Sequence, residues 1–79
     1  MKAMPRYYFH IRSTDYRYDD PEGSELMNDE AAINEALVSA RELSADRIRQ
    51  GLSTNETAFE VQDSEGAVVG TVLFPRASA

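Results

Sequence analysis

Seventy-nine residues are too few for two hydrophobic cores, so the chain is read as one domain with a modest store of buried surface. It has no cysteine, which excludes a disulfide framework, a zinc–thiolate site and a thiol nucleophile. A net charge of −6 repels phosphate backbones and disfavours nucleic acid as a direct partner. The charge is also uneven: seven of the fourteen acids fall within residues 15–30, while residues 1–14 carry Lys2, Arg6 and Arg12 and no acid. No apolar run is long enough to cross a membrane, and Met1 to His10 lacks the pattern of a secretory signal, so the cytoplasm is the expected compartment.

The first element is a strand. From Arg6 to Arg12 the chain is aromatic-rich and alternates, with Tyr7, Phe9 and Ile11 on one face and Tyr8, His10 and Arg12 on the other. Pro5 suits a strand entry. Ser13 to Asp15 carry turn chemistry, Tyr16 to Tyr18 read as a short returning strand, and Asp19 to Gly23 form a proline–glycine turn. A helix then spans 29–50. Asn28 is its N-cap, Asp29 and Glu30 face the positive end of the dipole, Arg47 and Arg49 face the negative end, and Gly51 follows. Ile33, Leu37, Ala40, Ser44 and Ile48 recur at helical spacing, and the small residues at 36, 40 and 44 predict a close approach to a sheet. At ~1.5 Å per residue the helix outruns an eight-residue strand, so it should overhang the sheet at its arginine-bearing end.

Residues 52–57 form a polar loop. Ala58 to Gln62 alternates, Asp63 to Gly66 makes a tight turn, and Ala67 to Phe74 returns. Phe59, Val61, Val68, Val72 and Phe74 are expected to face inward, with Gly70 on the same face marking close helix approach or a bulge. The fold class is therefore α+β: an antiparallel three- or four-stranded sheet with one long helix on one face, in the order β(β)αββ. Its core is expected to hold Phe9, Ile11, Ile33, Leu37, Ala40, Phe59, Val61, Val72 and Phe74. The domain runs from 4 to 75, and 76–79 form a frayed tail.

The run Met4-Pro5-Arg6-Tyr7-Tyr8-Phe9-His10-Ile11-Arg12, the Asp20-Pro21-Glu22-Gly23 turn, and the helix carrying Glu30-Ala31-Ala32 and Glu35-Ala36-Leu37 resemble a family of small bacterial proteins of unknown function. The closing hairpin, from Phe59-Glu60-Val61 through Asp63–Gly66 to Phe74, is similar too. The resemblance covers about residues 4 to 75. It implies a bacterial origin and a stand-alone domain, and it transfers no activity. The element order is also similar in layout to the small α+β domain of antitoxins that neutralise RNA-targeting toxins, and layout alone implies no function.

No residues combine into recognisable chemistry. His10 is the single histidine and has no serine elbow or thiol to serve as a general base. Asp15, Asp19, Asp20 and Glu22 lack the spacing of a calcium loop, so no metal and no cofactor is expected. The tyrosines at 7, 8, 16 and 18 lack the basic company of a base-stacking sheet. The chain is therefore read as noncatalytic. With the helix on one face, Tyr8, His10 and Arg12 remain on the other as the candidate interaction surface, for a second copy or another protein, and an edge strand is the other route. An antitoxin-like regulator acting with a nuclease or nucleic acid is the alternative.

Overall fold

Backbone pairing follows the alternation of the opening strand. The computed structural model describes residues 4–14 and 16–75, so the expected tail at 76–79 and Asp15 lie outside the described residues. Strand β1 (Arg6–Arg12) pairs antiparallel along its length with β4 (Ala58–Asp63), which pairs with β5 (Val68–Leu73). On its other side β1 meets two short pieces, β2 (Arg17–Tyr18) near its end and β3 (Ser24–Glu25) near its start. The sheet is therefore five-stranded, ordered β2–β1–β4–β5 with β3 beside β2 against β1. The returning strand predicted at 16–18 is β2. The two-residue β3 is additional, and with it residues 17–25 amount to one interrupted strand.

Helix α1 (Asp29–Arg49) begins where Asn28 accepts the Ala31 N–H at 2.9 Å, relieving one unpaired donor of the first turn. It packs on β4 and β5 through Ala32, Ala36, Ala40 and Ser44, all essentially buried. So narrow a stripe lets the backbone lie close to the sheet. A Cβ at Gly70 would overlap Ile33 Cδ1 and sit 3.3 Å from its Cγ1, which accounts for glycine in the middle of β5. Above the sheet, Tyr7, Phe59, Val61, Val72 and Phe74 complete the core, with Phe9, Ile11, Leu26, Ile33 and Val69 packed around it. The last buried residue of the helix is Ser44, and in the turns beyond it Arg47 rests over the Tyr16 ring at 5.4 Å.

Two core expectations are corrected. Leu37 is 42% exposed. Ile33 touches Gly70 of β5, so Leu37, one turn on, lies on the flank where the sheet has ended and no strand is beneath it. Val68 is 52% exposed because of a bulge: Val61 pairs with Gly70 but Gln62 pairs with Val68, leaving Val69 as the extra residue. A one-residue shift exchanges the two faces of a strand, so Val69 turns to the core and Val68 to the outer face.

Tyr7 ties the sheet to the helix by donating its hydroxyl to Asp29 Oδ1 at 2.6 Å. That bond, helped by burial and by the charges of Asp29 and Asp63, pushes its pKa up to about 12 from 10.0. A raised tyrosine pKa stabilises the neutral form of the fold, a contribution present below pH 10 and lost as the pH rises through about 12. Spectrophotometric titration should therefore show one of the four tyrosines ionising late. Tyr7→Phe should remove that late step, and its persistence in the variant would reject the assignment.

Candidate functional site

The sheet face away from the helix is built from three strands. Along β1 it presents Tyr8, His10 and Arg12, and the register sets them opposite Gln62, Glu60 and Ala58 of β4. Its centre is Glu60, a carboxylate only 8% exposed. Arg12 donates to Glu60 Oε2, Gln62 Nε2 donates to Oε1 at 2.9 Å, and Arg17 Nη2 stands 3.7 Å from the same oxygen. Burial pushes the Glu60 pKa up, but the bonds from Arg12 and Gln62 and the two positive charges outweigh it, and the carboxyl ends below its ordinary range. Arg17 Nε also donates to Asp19 Oδ1 at 2.7 Å, and that bond lowers the Asp19 pKa.

The gap in the interrupted strand is filled by a side chain. The order of hydrogen-bonded pairs turns the Phe9 N–H away from β4, toward the space between β2 and β3. There it donates to Asp20 Oδ2 at 3.2 Å. Asp20 Oδ1 accepts from the N–H groups of Glu22 and Gly23 at 3.2 and 3.1 Å, and the Asp20 N–H donates to His10 Nδ1 at 3.1 Å. Burial raises the Asp20 pKa, and the three backbone donors together with His10 bring it below its ordinary value. Arg6 anchors the same loop through the Glu22 carbonyl at 2.8 Å and the Glu25 carboxylate at 3.6 Å. Gly23, at φ 70°, lies against β1; a Cβ there would meet Tyr7 O at 2.7 Å and Tyr8 Cε1 at 2.9 Å.

The three candidate residues thus stand in one row, in different circumstances. Tyr8 is half-buried under the 19–23 loop, with its ring stacked on His10 at 6.2 Å between centroids. The His10 side chain is 12% exposed, with Nδ1 accepting from the loop backbone and Asp19 Oδ1 3.6 Å away. Arg12 is 57% exposed, with its charge directed at Glu60. Asp19 and Asp20 are engaged by Arg17 and by backbone donors, an arrangement that holds a loop in place. Among the described residues, no three His, Asp or Glu side chains are placed to hold a metal ion.

What residue-by-residue reading misses is which edge strand lies open: it is β5. The Phe74 N–H donates to the Thr57 carbonyl at 2.9 Å, so Thr57 and Phe74 form a hydrogen-bonded pair. By alternation, the N–H and C=O groups of Thr71 and Leu73 point away from β4 into solvent. Leu73 is 73% exposed and Val68 52%. No charged residue occurs from Gly66 to Pro75. That blank in the charge pattern was the available signal.

The family model for a domain of unknown function, DUF6894, matches residues 6–75. The chain belongs to this family. Its match runs from the first residue of β1 to just beyond β5 and so takes in the Glu60 network, the Asp20 loop and the free edge alike. No curated protein and no solved structure is significantly similar to the chain.

Proposed function

We propose that this DUF6894 domain is a noncatalytic protein-interaction module that docks through the free edge of β5. The observation that carries this reading is an uncharged edge strand, Val68–Leu73, whose outward main-chain donors and acceptors at Thr71 and Leu73 have no partner among the described residues. Edge strands are ordinarily blunted by lysine, proline or an inward charge, because bare ladder groups recruit another strand. Here the bulge at Val69 twists only the start of β5 and leaves Gly70 to Leu73 regular. Added strands gain affinity from main-chain bonds and specificity from side chains on alternate faces. Tyr8, His10 and Arg12 then act as the support beneath the 19–23 loop, and Arg12 marks the rim of that face. The antitoxin-like alternative shares the layout but draws on none of these side chains.

A photo-crosslinking amino acid placed at Thr71 or Leu73 in the producing cell tests the reading. Discrete adducts are expected at both positions and none at Glu35, an exposed position on the far side of the helix. Absence of adducts at both edge positions would overturn it.

A further inference from the structure

Resting on that reading, we propose that the strand docked on β5 is the β5 of a second copy of this chain, related by a two-fold axis through Val72. Antiparallel pairing of identical strands is self-complementary, so one patch serves both copies. With the axis at Val72, Thr71 of each copy faces Leu73 of the other. The four outward N–H groups and four outward C=O groups at these positions then lie in register for reciprocal pairing. The outer face joins Thr71 to the other copy's exposed Leu73, and the inner face joins the two Val72 side chains.

The helix supplies an independent reason. Leu37 is 42% exposed on the flank of α1 marked by Ile33, which touches Gly70. Among the described residues, nothing in a single copy covers it. α1 packs on both β4 and β5, so strands ~4.8 Å apart across the axis would bring the two helices to about 10 Å, an ordinary packing distance. Leu37 stands one turn beyond Ile33, as Val72 stands two residues beyond Gly70, so it lies near the axis and meets its counterpart there. Charge permits the approach. The acidic loop carrying Asp19, Asp20 and Glu22 lies at the opposite edge of the sheet, beyond β4 and β1, and no charge lies between Gly66 and Pro75. The charge of that loop is thereby kept at a distance from the junction.

Sedimentation equilibrium from low to high micromolar concentration is the test. The wild type should reach a dimer. Thr71→Pro, which removes an outward donor and no bond to β4, and Leu73→Lys, which charges the edge, should each weaken dimerisation roughly tenfold or more. Unchanged circular dichroism would show that both still fold. Because the chain has no cysteine, Val72→Cys introduces one thiol at a pair whose Cα atoms stand ~4.5 Å apart across the axis, within disulfide reach. Mild oxidation should give a covalent dimer, whereas Val38→Cys, half-exposed and off the Ile33–Leu37 flank, should give none. A wild type that stays monomeric, or a dimer indifferent to both edge variants, overturns self-pairing. A monomer whose Thr71 crosslinks to another protein removes self-pairing and leaves the interaction module standing. A monomer with no adducts removes both.

Discussion

Phe59→Ala is expected to remove about 3–5 kcal/mol of stability. The ring is 5% exposed and stands between two others, edge-on to Phe9 at 6.3 Å and tilted against Phe74 at 5.1 Å. It thereby joins β1, β4 and the end of β5. The helix above offers little to fill the gap, since its buried stripe is three alanines and a serine, so the cavity should collapse poorly. At ~0.05–0.15 kcal/mol per residue, a chain of this length has total stability of the same order as the loss. Urea titration should therefore find the variant barely folded or unfolded. A loss under about 1 kcal/mol would mean that the aromatic cluster is not the centre of the core.

Asp20→Ala is expected to cost on the order of 1–3 kcal/mol, because it strands the Phe9 N–H and frees two loop donors. Solvent reaches part of the loop and holds the value below what three dry bonds would give. The variant should also change the acid limb of stability. Asp20, Asp19 and Glu60 all have pKa values below their ordinary 3.8, 3.8 and 4.5 in the folded chain. Depressed carboxyl pKa values contribute stability above the unfolded values and lose it as the pH falls through the folded ones. Wild-type stability should thus decline below about pH 4.5, and Asp20→Ala should decline less steeply from its lower plateau. An acid limb identical in the two proteins would show that Asp20 does not bear the loop.

The helix and its caps were legible because their signals are local. Asn28, Asp29, Glu30, Arg47 and Arg49 each act within one turn, and the helix starts at Asp29 as expected and ends at Arg49, one residue before the expected end, with Gln50 as its C-cap. The opening strand and closing hairpin were legible for the same reason, their alternation being carried by neighbouring residues. Leu37 was misread because helical spacing identifies a face but not where the sheet beneath it ends. Val68 was misread because Gly70 signalled close helix approach or a bulge without showing that the register slips at Val69. The role of Tyr8 depends on a loop that folds back across β1, and Asp20 looked like an ordinary turn acid because its main partner, Phe9, is eleven residues earlier. The β5 edge was hidden by strand order, a property of the whole chain.

The pairing of β1 with β4 carries a consequence for how the molecule is made. Arg12 meets Glu60 at a sequence separation of 48, and every rung of that ladder is similarly remote. The helix and the β4–β5 hairpin can form from their own segments, but the sheet's middle seam cannot close until synthesis has passed Asp63. Closing so large a loop costs entropy before any contact repays it, so topology places this domain among the slower folders of its size. Between formation of the β4–β5 hairpin and closure of that seam, β4 is bare along the side that β1 will occupy, and β5 is bare along the other. A nascent chain therefore carries two open edges where the finished one carries a single long one, and high-level expression should be most prone to aggregation in that interval.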